Sequence, residues 1–189
     1  PGKGPMIYFD GVILAHCNEA EWNKFKSENT NEAILDRIVR VNVPYCLEVS
    51  QEIKIYEKLL SRSDFTAHIA PHTIRVASMF SVMSRLAPSQ KCDILTKMKI
   101  YNGEEVIEKG RVKKIDIKDL REESRNEGMK GISTRFIMKA IDSALAGSSK
   151  DFITPVSIIN SLTAKVSEQI IDEEFRTSCL ELIQKNLRE

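Results

Sequence analysis

The sequence lacks the features that would assign it to a membrane or polyanion-binding class. No run approaches the 18–20 or so uncharged apolar residues that a transmembrane helix needs, so none is predicted. Neither sign of charge is in excess, because 28 Lys and Arg stand against 27 Asp and Glu. Such a balance argues against a general polyanion binder. We therefore expect neither a membrane nor a nucleic acid among its partners.

Cysteine is sparse and widely spaced. The four cysteines are Cys17, Cys46, Cys92 and Cys179, and no Cys-x-x-Cys occurs. Their spacing indicates neither a zinc knuckle nor a redox pair, and a small disulfide scaffold would need a denser pattern. The first residues do not form a signal peptide. We expect reduced thiols in a cytoplasmic protein.

The sequence also lacks the common catalytic and metal-binding motifs. It has no Gly-x-x-x-x-Gly-Lys-Ser/Thr phosphate loop, no Gly-x-Ser-x-Gly, and no His-Arg-Asp or Asp-Phe-Gly kinase signature. His68 and His72 have the spacing of a metal pair only on a continuous helix, and Pro71 interrupts it. We predict no metal site. Because it also lacks an initiator Met, the chain looks like a piece excised from a longer protein.

The residues that are present predict an α/β beginning. Residues 7–16 are predicted to form one strand, or two broken at Gly11, because Val12-Ile13-Leu14-Ala15 is apolar on both faces like a buried parallel strand. Residues 38–43 are β-branched and predict a second strand. Short helices are predicted between them, at Glu19–Ser27 and Asn29–Asp36.

From about residue 48 the apolar spacing becomes helical. Val49, Ile53, Tyr56 and Leu60 recur as on one face of a helix. Further helices are predicted at 71–87, 92–101, 132–145, 155–165 and 171–187. Residues 103–128 hold 15 charged residues and predict a solvated loop with a short helix at about 116–126.

The predicted fold is therefore an α/β remnant followed by a mainly α-helical lid, predominantly helical as a whole. The expected divisions are residues 1–47 for the end of an α/β core, 48–147 for the lid and 148–189 for further helices. A sheet followed by a helical lid is one arrangement that places a ligand at the junction.

Two residues of the α/β part could carry chemistry. Asn18 follows the apolar strand at its carboxyl end, where open parallel sheets face their ligands. It could contact a phosphate and a water, or it could cap the helix that begins at Glu19. Arg37 lies between a short helix and a strand, where it could stabilise charge on a transferring phosphoryl group. The alternative is a surface ion pair with Glu32 or Asp36.

A third candidate lies at the start of the strongest helix. Arg135 stands in its first turn, which is the unfavourable end of the helix dipole for a cation. Free N–H groups, the hydroxyls of Ser133 and Thr134 and this guanidinium together would suit a phosphate. The alternative is an exposed Arg lying along the helix.

Three stretches of the sequence together carry a family resemblance. They are residues 16–22, then 31–37 running on to 43–47 and 53–58, then 127–129 with 131–136. These stretches resemble the PrkA family of bacterial serine protein kinases, which carry an AAA+ ATPase module. The resemblance covers most of the chain and is strongest up to about residue 60 and again at 127–147.

The resemblance implies roles for the candidate residues. Asn18 matches the sensor-1 position, Arg37 the arginine finger acting on a neighbouring subunit, and Arg135, with Ser133 and Thr134, the sensor-2 region. ATP and Mg would bind in the parent protein, and none is expected to bind tightly to this fragment. The Walker A loop would lie before residue 1, so the fragment alone is expected to be inactive. The parent would self-associate through its AAA+ module and act as an ATP-dependent serine/threonine protein kinase or AAA+ ATPase.

A second reading makes the chain a non-catalytic module. The helices from residue 48 to 189 could form a protein-interaction domain. Nucleic acid is disfavoured as the ligand, because residues 104–127 are mixed in charge and contain no aromatic residue for base stacking.

Overall fold

A computed structural model describes residues 10–63, 66–108, 111–112, 115–147 and 152–187. Over these residues the chain is predominantly helical, as the sequence predicts. It divides into two compact units, residues 1–42 and 43–189. The expected divisions after residues 47 and 147 stay predictions.

The first unit contains the two predicted helical segments. Helix α1 spans Glu19–Ser27, and a single 3-10 turn at Asn29–Asn31 leads into α2 at Glu32–Leu35. Acidic side chains occupy the first turn of α1 and basic ones its last turn, which suits the helix dipole. Trp22 and Phe25 share one face of α1, with ring centroids 6.1 Å apart.

The two strands predicted in this unit do not form within the described residues. Residues 10–18 and 38–43 contain neither helix nor strand, and residues 7–9 of the first prediction lie outside the described part. The apolar side chains there are exposed, with Leu14 at 93% and Val39 at 88%. A strand is held by the ladder of a neighbouring strand, and these segments pair with no other described segment. Their apolar pattern is that of buried strands, but no segment within the described ranges pairs with them.

The second unit is a helical bundle with two very short sheets. Its helices are α3 (Val49–Ser61), α4 (Thr73–Met83), α5 (Ile94–Tyr101), α6 (Ile117–Glu123), α7 (Thr134–Ala146), α8 (Pro155–Gln169) and α9 (Glu173–Asn186). Strand β1 (His68–Ile69) pairs in parallel with β4 (Phe152–Ile153), and β2 (Ile107–Glu108) pairs antiparallel with β3 (Arg111–Val112). The predicted helices of this region are confirmed, whereas none of these strands was expected.

Local sequence signals explain where the long helices begin and end. Thr154 and Ser157 form a capping box at the start of α8, with Pro155 at its first position. Asp172 caps α9 by accepting a hydrogen bond from the backbone N–H of Phe175. Every described helix is too short or too polar to cross a lipid bilayer.

Apolar side chains of the second unit form two cores. The larger joins α3, α4, α7, α8 and α9, and its fully buried members include Tyr56, Phe80, Ile137, Ile141, Ile158 and Leu162. The smaller joins α3 and α4 to α5 and α6, and its members are Val49, Val82, Met83, Leu86, Met98, Tyr101 and Leu120. Helices α3 and α4 contribute to both cores, and Arg85 and Leu86, which follow α4, are buried.

The charge-rich segment 103–128 is only partly the solvated loop that its composition predicts. The expected short helix is confirmed as α6 (Ile117–Glu123). The prediction that the segment is solvated is wrong at Leu120, which is fully buried, and at Glu127, whose side chain is 4% exposed. Composition averages over a segment, so it hides one apolar residue per helical turn and a carboxylate with a buried cationic partner.

Candidate functional site

Asn18 lies at the beginning of α1 and caps it. Its Oδ1 accepts a hydrogen bond from the backbone N–H of Glu21 at 2.8 Å. Of the two alternatives for this residue, the structure therefore contains the cap. The side chain is exposed, and its Nδ2 donates to no other group in the described residues. A free amide donor remains available for an anion, so capping and phosphate contact are compatible.

Arg37 follows the end of α2 and is exposed. Its guanidinium donates a hydrogen bond to the backbone carbonyl of Ala33, one of the carbonyls that a helix end leaves without a partner. The alternative, a surface ion pair with Glu32 or Asp36, is not formed in the described part of the chain. One hydrogen bond thus anchors the Arg37 guanidinium, and its other N–H groups bond to none of the described residues.

Arg40, three residues further on, is held within its own unit. Its Nη2 lies 3.0 Å from a carboxylate oxygen of Glu19, and its guanidinium lies 5.6 Å from the ring centroid of Trp22. The ion pair is exposed on both sides, so it contributes little to stability. Arg40 is nevertheless less available to a ligand than Arg37.

The start of α7 gathers the three residues predicted as the phosphate contact. Ser133 is the N-cap, and its Oγ accepts a hydrogen bond from the backbone N–H of Phe136 at 3.3 Å. Thr134 and Arg135 occupy the first two helical positions. The Arg135 side chain is exposed and forms no ion pair with the described residues. A cation at this end of the dipole gains stability when an anion binds beside it.

A buried polar cluster behind α7 was missed by the sequence reasoning. Arg85, at the end of α4, forms an ion pair with Glu52 of α3, with Nη2 and Oε1 2.8 Å apart. Both side chains are almost fully buried. Tyr56 donates its hydroxyl to the same Glu52 oxygen at 2.6 Å, and Ser81 Oγ donates to it at 3.3 Å. Burial, with the nearby Glu52 carboxylate, raises the pKa of Tyr56 far above its ordinary value, so this hydroxyl stays a donor.

Arg85 also donates hydrogen bonds to the backbone carbonyls of two segments that lie far apart in the sequence. Its Nε and Nη2 donate to the carbonyl of Ile132, at 3.0 and 2.9 Å, and its Nη1 donates to the carbonyl of Cys46 at 2.9 Å. Ile132 directly precedes the N-cap Ser133. One buried guanidinium therefore contacts both the beginning of the unit and the segment that leads into α7.

A second buried pair joins α5 to the charged segment. Lys97 contacts Glu127, and both side chains are nearly inaccessible to solvent. Glu127 also accepts a hydrogen bond from the Tyr101 hydroxyl and one from the backbone N–H of Ala87. Burial and the bonded Glu127 raise the pKa of Tyr101. Among the described residues, neither side chain of this pair bonds to α7, so the pair is a useful comparison for the first.

A pattern in the sequence could have revealed the first cluster. Glu52 stands one turn after Val49 and one turn before Tyr56, on the face that the apolar spacing assigns to the core. A carboxylate on the buried face of a helix needs a buried cation or several hydrogen-bond donors as partners. The partner, Arg85, lies in another helix, and nothing local to either residue predicts their contact.

Two family models together match nearly the whole chain. The family model for the PrkA AAA domain matches residues 1–93, and the model for the PrkA serine protein kinase C-terminal domain matches residues 95–189. No solved structure matches the chain.

Two curated relatives are similar over most of the chain. One is an "ATP-dependent protease PrkA" of Bacillus subtilis, 40% identical over 85% of this chain and 26% of its own length. Another is a "Serine/threonine kinase YeaG" of Escherichia coli, 46% identical over 70% of this chain and 21% of its own length. The chain thus spans about a quarter of the length of the relatives that it matches.

Proposed function

Because this chain belongs to the PrkA family of serine protein kinases, we propose that it is the nucleotide-sensing half and helical lid of an AAA+ ATPase module. The parent would be an ATP-dependent serine protein kinase. In it, Asn18 acts as sensor 1, Arg37 as an arginine finger toward a neighbouring subunit, and Arg135 as sensor 2. The remainder of the nucleotide site would lie in other parts of the parent.

The free guanidinium of Arg135 is the observation that carries this proposal. It stands on the first turn of α7, exposed and without an ion-pair partner in the described residues. The backbone N–H groups of Thr134 and Arg135 point out of the helix start, where they remain open to an anion. A phosphate oxygen placed there would accept charge-assisted hydrogen bonds from Arg135 and a hydroxyl of Ser133 or Thr134.

These residues fit one end of a nucleotide, and they do not surround the whole of it. They supply cationic and hydroxyl donors for a terminal phosphate, but no glycine-rich cradle for a triphosphate. We propose that the cradle and the Mg ligands belong to the longer parent. Bound Mg-ATP would supply the transferable phosphoryl group, and this chain would sense its terminal phosphate.

The exposed apolar segments support a place at the edge of a larger sheet. Val12, Leu14, Val39 and Val41 are each at least 74% exposed. Clusters of apolar side chains with strand-like spacing become stable when neighbouring strands cover them. We propose that residues 12–15 and 38–43 complete the AAA+ sheet of the parent.

The relatives' names leave two activities for the parent. One relative is called a kinase and another a protease, and both activities named there would draw on ATP. We favour the kinase, because the second half of the chain matches the serine protein kinase C-terminal model. Transfer of the γ-phosphate of labelled ATP to a protein serine would support this choice. Peptide-bond cleavage without such transfer would contradict it. We place the parent in the bacterial cytoplasm, where ATP is available and thiols stay reduced.

The proposal is tested by replacing Arg37 in the full-length parent. For Arg37→Ala we expect a fall in ATP hydrolysis of about a thousandfold, the usual effect of removing an arginine finger. Binding of ATP should persist. Arg40→Ala is the matched control, because Arg40 is a nearby exposed arginine that is already paired within its unit. It should keep most of the activity.

A mixing experiment tests whether Arg37 acts on a neighbouring subunit. Under the proposal, subunits carrying Arg37→Ala lose catalysis, and subunits carrying Arg135→Ala turn over slowly when ATP is kept well below their weakened dissociation constant. Mixed together, they should recover part of the activity at interfaces where an intact Arg37 meets an intact Arg135. Full activity of Arg37→Ala alone would favour the alternative, a non-catalytic helical protein-interaction module.

A further inference from the structure

Arg85 holds the segment in front of Arg135 through its side chain. Two of its nitrogens donate to the carbonyl of Ile132, which lies three residues before Arg135. The guanidinium is buried and is oriented by the Glu52 carboxylate at 2.8 Å. A guanidinium is planar and rigid, so fixing it at Glu52 also fixes the direction of its other donors.

The side chain of Ser84, the residue directly after α4, holds the same segment at a second point. Ser84 Oγ accepts a hydrogen bond from the backbone N–H of Ile132 at 3.0 Å. Gly131, with φ of +126°, passes so close that a Cβ there would lie 2.6 Å from Arg85 Cγ and 2.8 Å from the Ser84 carbonyl oxygen. Both polar groups of the Ile132 backbone are therefore bound by the side chains of Ser84 and Arg85, which follow α4, and only glycine fits at position 131 beside them.

Arg85 also holds the chain where it enters the second unit. It donates to the carbonyl of Cys46 at 2.9 Å, and the Tyr45 ring lies 4.7 Å from its guanidinium. The backbone N–H of Tyr45 donates to the carbonyl of Gly128 at 2.8 Å, and the N–H of Gly128 donates to the carbonyl of Arg85 at 3.2 Å. Residues 45–46 are thus held by Arg85, and residues 128–132 are held by both Ser84 and Arg85.

We propose that Arg85, oriented by Glu52, is the positioning residue for Arg135. It sets the place and direction of the α7 start, so that Ser133, Thr134 and Arg135 meet the terminal phosphate together. Arg85 itself is buried and touches no ligand. This inference rests on the proposed role of Arg135 in nucleotide sensing. A binding site of this kind depends on neighbouring residues that hold its ligand-contacting side chains in position. A small displacement of one donor weakens the whole set of contacts to the ligand.

The test measures Mg-ATP affinity of the full-length parent by calorimetry. Arg85→Lys and Ser84→Ala are each made alone and together with Arg135→Ala. With Arg135 present, each should weaken binding about tenfold. With Arg135→Ala, the same substitutions should change affinity by no more than about twofold, because the charged phosphate contact is gone and only the weaker hydroxyl contacts of Ser133 and Thr134 remain to be positioned.

Two control variants separate positioning from general damage to the fold. Ser89→Ala removes a hydroxyl that donates to Glu123, and Glu127→Gln weakens the second buried pair with Lys97. Neither group contacts the start of α7. The inference requires that both controls leave Mg-ATP affinity within about twofold of the wild type, even where Glu127→Gln lowers the thermal midpoint.

Each alternative result has a distinct meaning. Equal loss of affinity with and without Arg135 would overturn the inference, because it would show a general structural effect. Wild-type affinity in Arg85→Lys and Ser84→Ala would overturn it too. If Arg85→Lys does not fold, the milder Ser84→Ala decides the question. Unchanged affinity in Arg135→Ala alone would overturn the proposed function itself, and the positioning role with it.

Discussion

The buried pair of Glu52 and Arg85 makes the stability of the helical unit sensitive to one charge. Glu52→Gln keeps the size of the side chain and an oxygen that can accept from Arg85 and Tyr56, but it removes the carboxylate charge. Removing one partner of a buried pair usually costs about 3–5 kcal/mol, because the other charge stays buried without compensation. Since the amide retains an acceptor, we expect the lower end, about 3 kcal/mol.

Chemical denaturation measures this cost. Urea unfolding followed by circular dichroism should show a lower midpoint for Glu52→Gln with little change in the slope. A loss of about 3 kcal/mol corresponds to a thermal midpoint lower by about 6–12 °C for a chain of this size. The matched control is Glu57→Gln, on the exposed face of the same helix. Equal midpoints for the two variants would refute the existence of a buried pair at Glu52.

Further predictions concern the charged segment and the cysteines. Leu120→Ala should destabilise the unit by about 2–5 kcal/mol, since its side chain is fully buried. Ile107→Ala in the same segment should change stability little, because Ile107 is 67% exposed; similar urea midpoints for both would contradict the second core. Burial raises the pKa of the Cys179 thiol to about 12, so at pH 8 it stays protonated. Iodoacetamide should label exposed Cys17 in the native chain and Cys179 only after unfolding, as mass spectrometry would show, and rapid native labelling of Cys179 would refute its burial.

Helices of the second unit were predictable because their signals are local. The apolar spacing of α3, α4 and α7 assigns each a buried face, and Pro155 and Gly147 mark where helices begin and end. These signals act within a turn or two of the chain, so a single sequence contains them in full.

The features that escaped prediction depend on distant partners. Residues 12–15 and 38–43 have the pattern of buried strands, but a strand forms only beside another strand. The parallel pairing of β1 with β4 joins segments far apart in the sequence. Glu52 and Arg85 look like ordinary surface charges until the fold brings α3 and α4 together. Contacts between residues so far apart in the sequence leave no signal in the local spacing of apolar residues.

The candidate site was predictable in part. The sequence correctly offered a cap as one role for Asn18, and the structure contains it. The ion pair offered as the alternative for Arg37 is wrong within the described residues, since its guanidinium bonds to Ala33 instead. The roles of Asn18, Arg37 and Arg135 toward a nucleotide stay predictions. The buried cluster of Glu52, Tyr56, Ser81 and Arg85, which supports the segment before Arg135, could be found only from the structure.

The most direct test of the account is the Mg-ATP affinity of the full-length parent with and without Arg135. Calorimetric titration should show that Arg135→Ala weakens binding about tenfold or more, the worth of a charge-assisted contact to phosphate. Lys139→Ala, which removes another exposed cation one turn along α7, should leave affinity unchanged. Titration into the present chain alone should show no detectable binding. Equal affinity of the parent and its Arg135→Ala variant, or tight binding by this chain alone, would contradict the account.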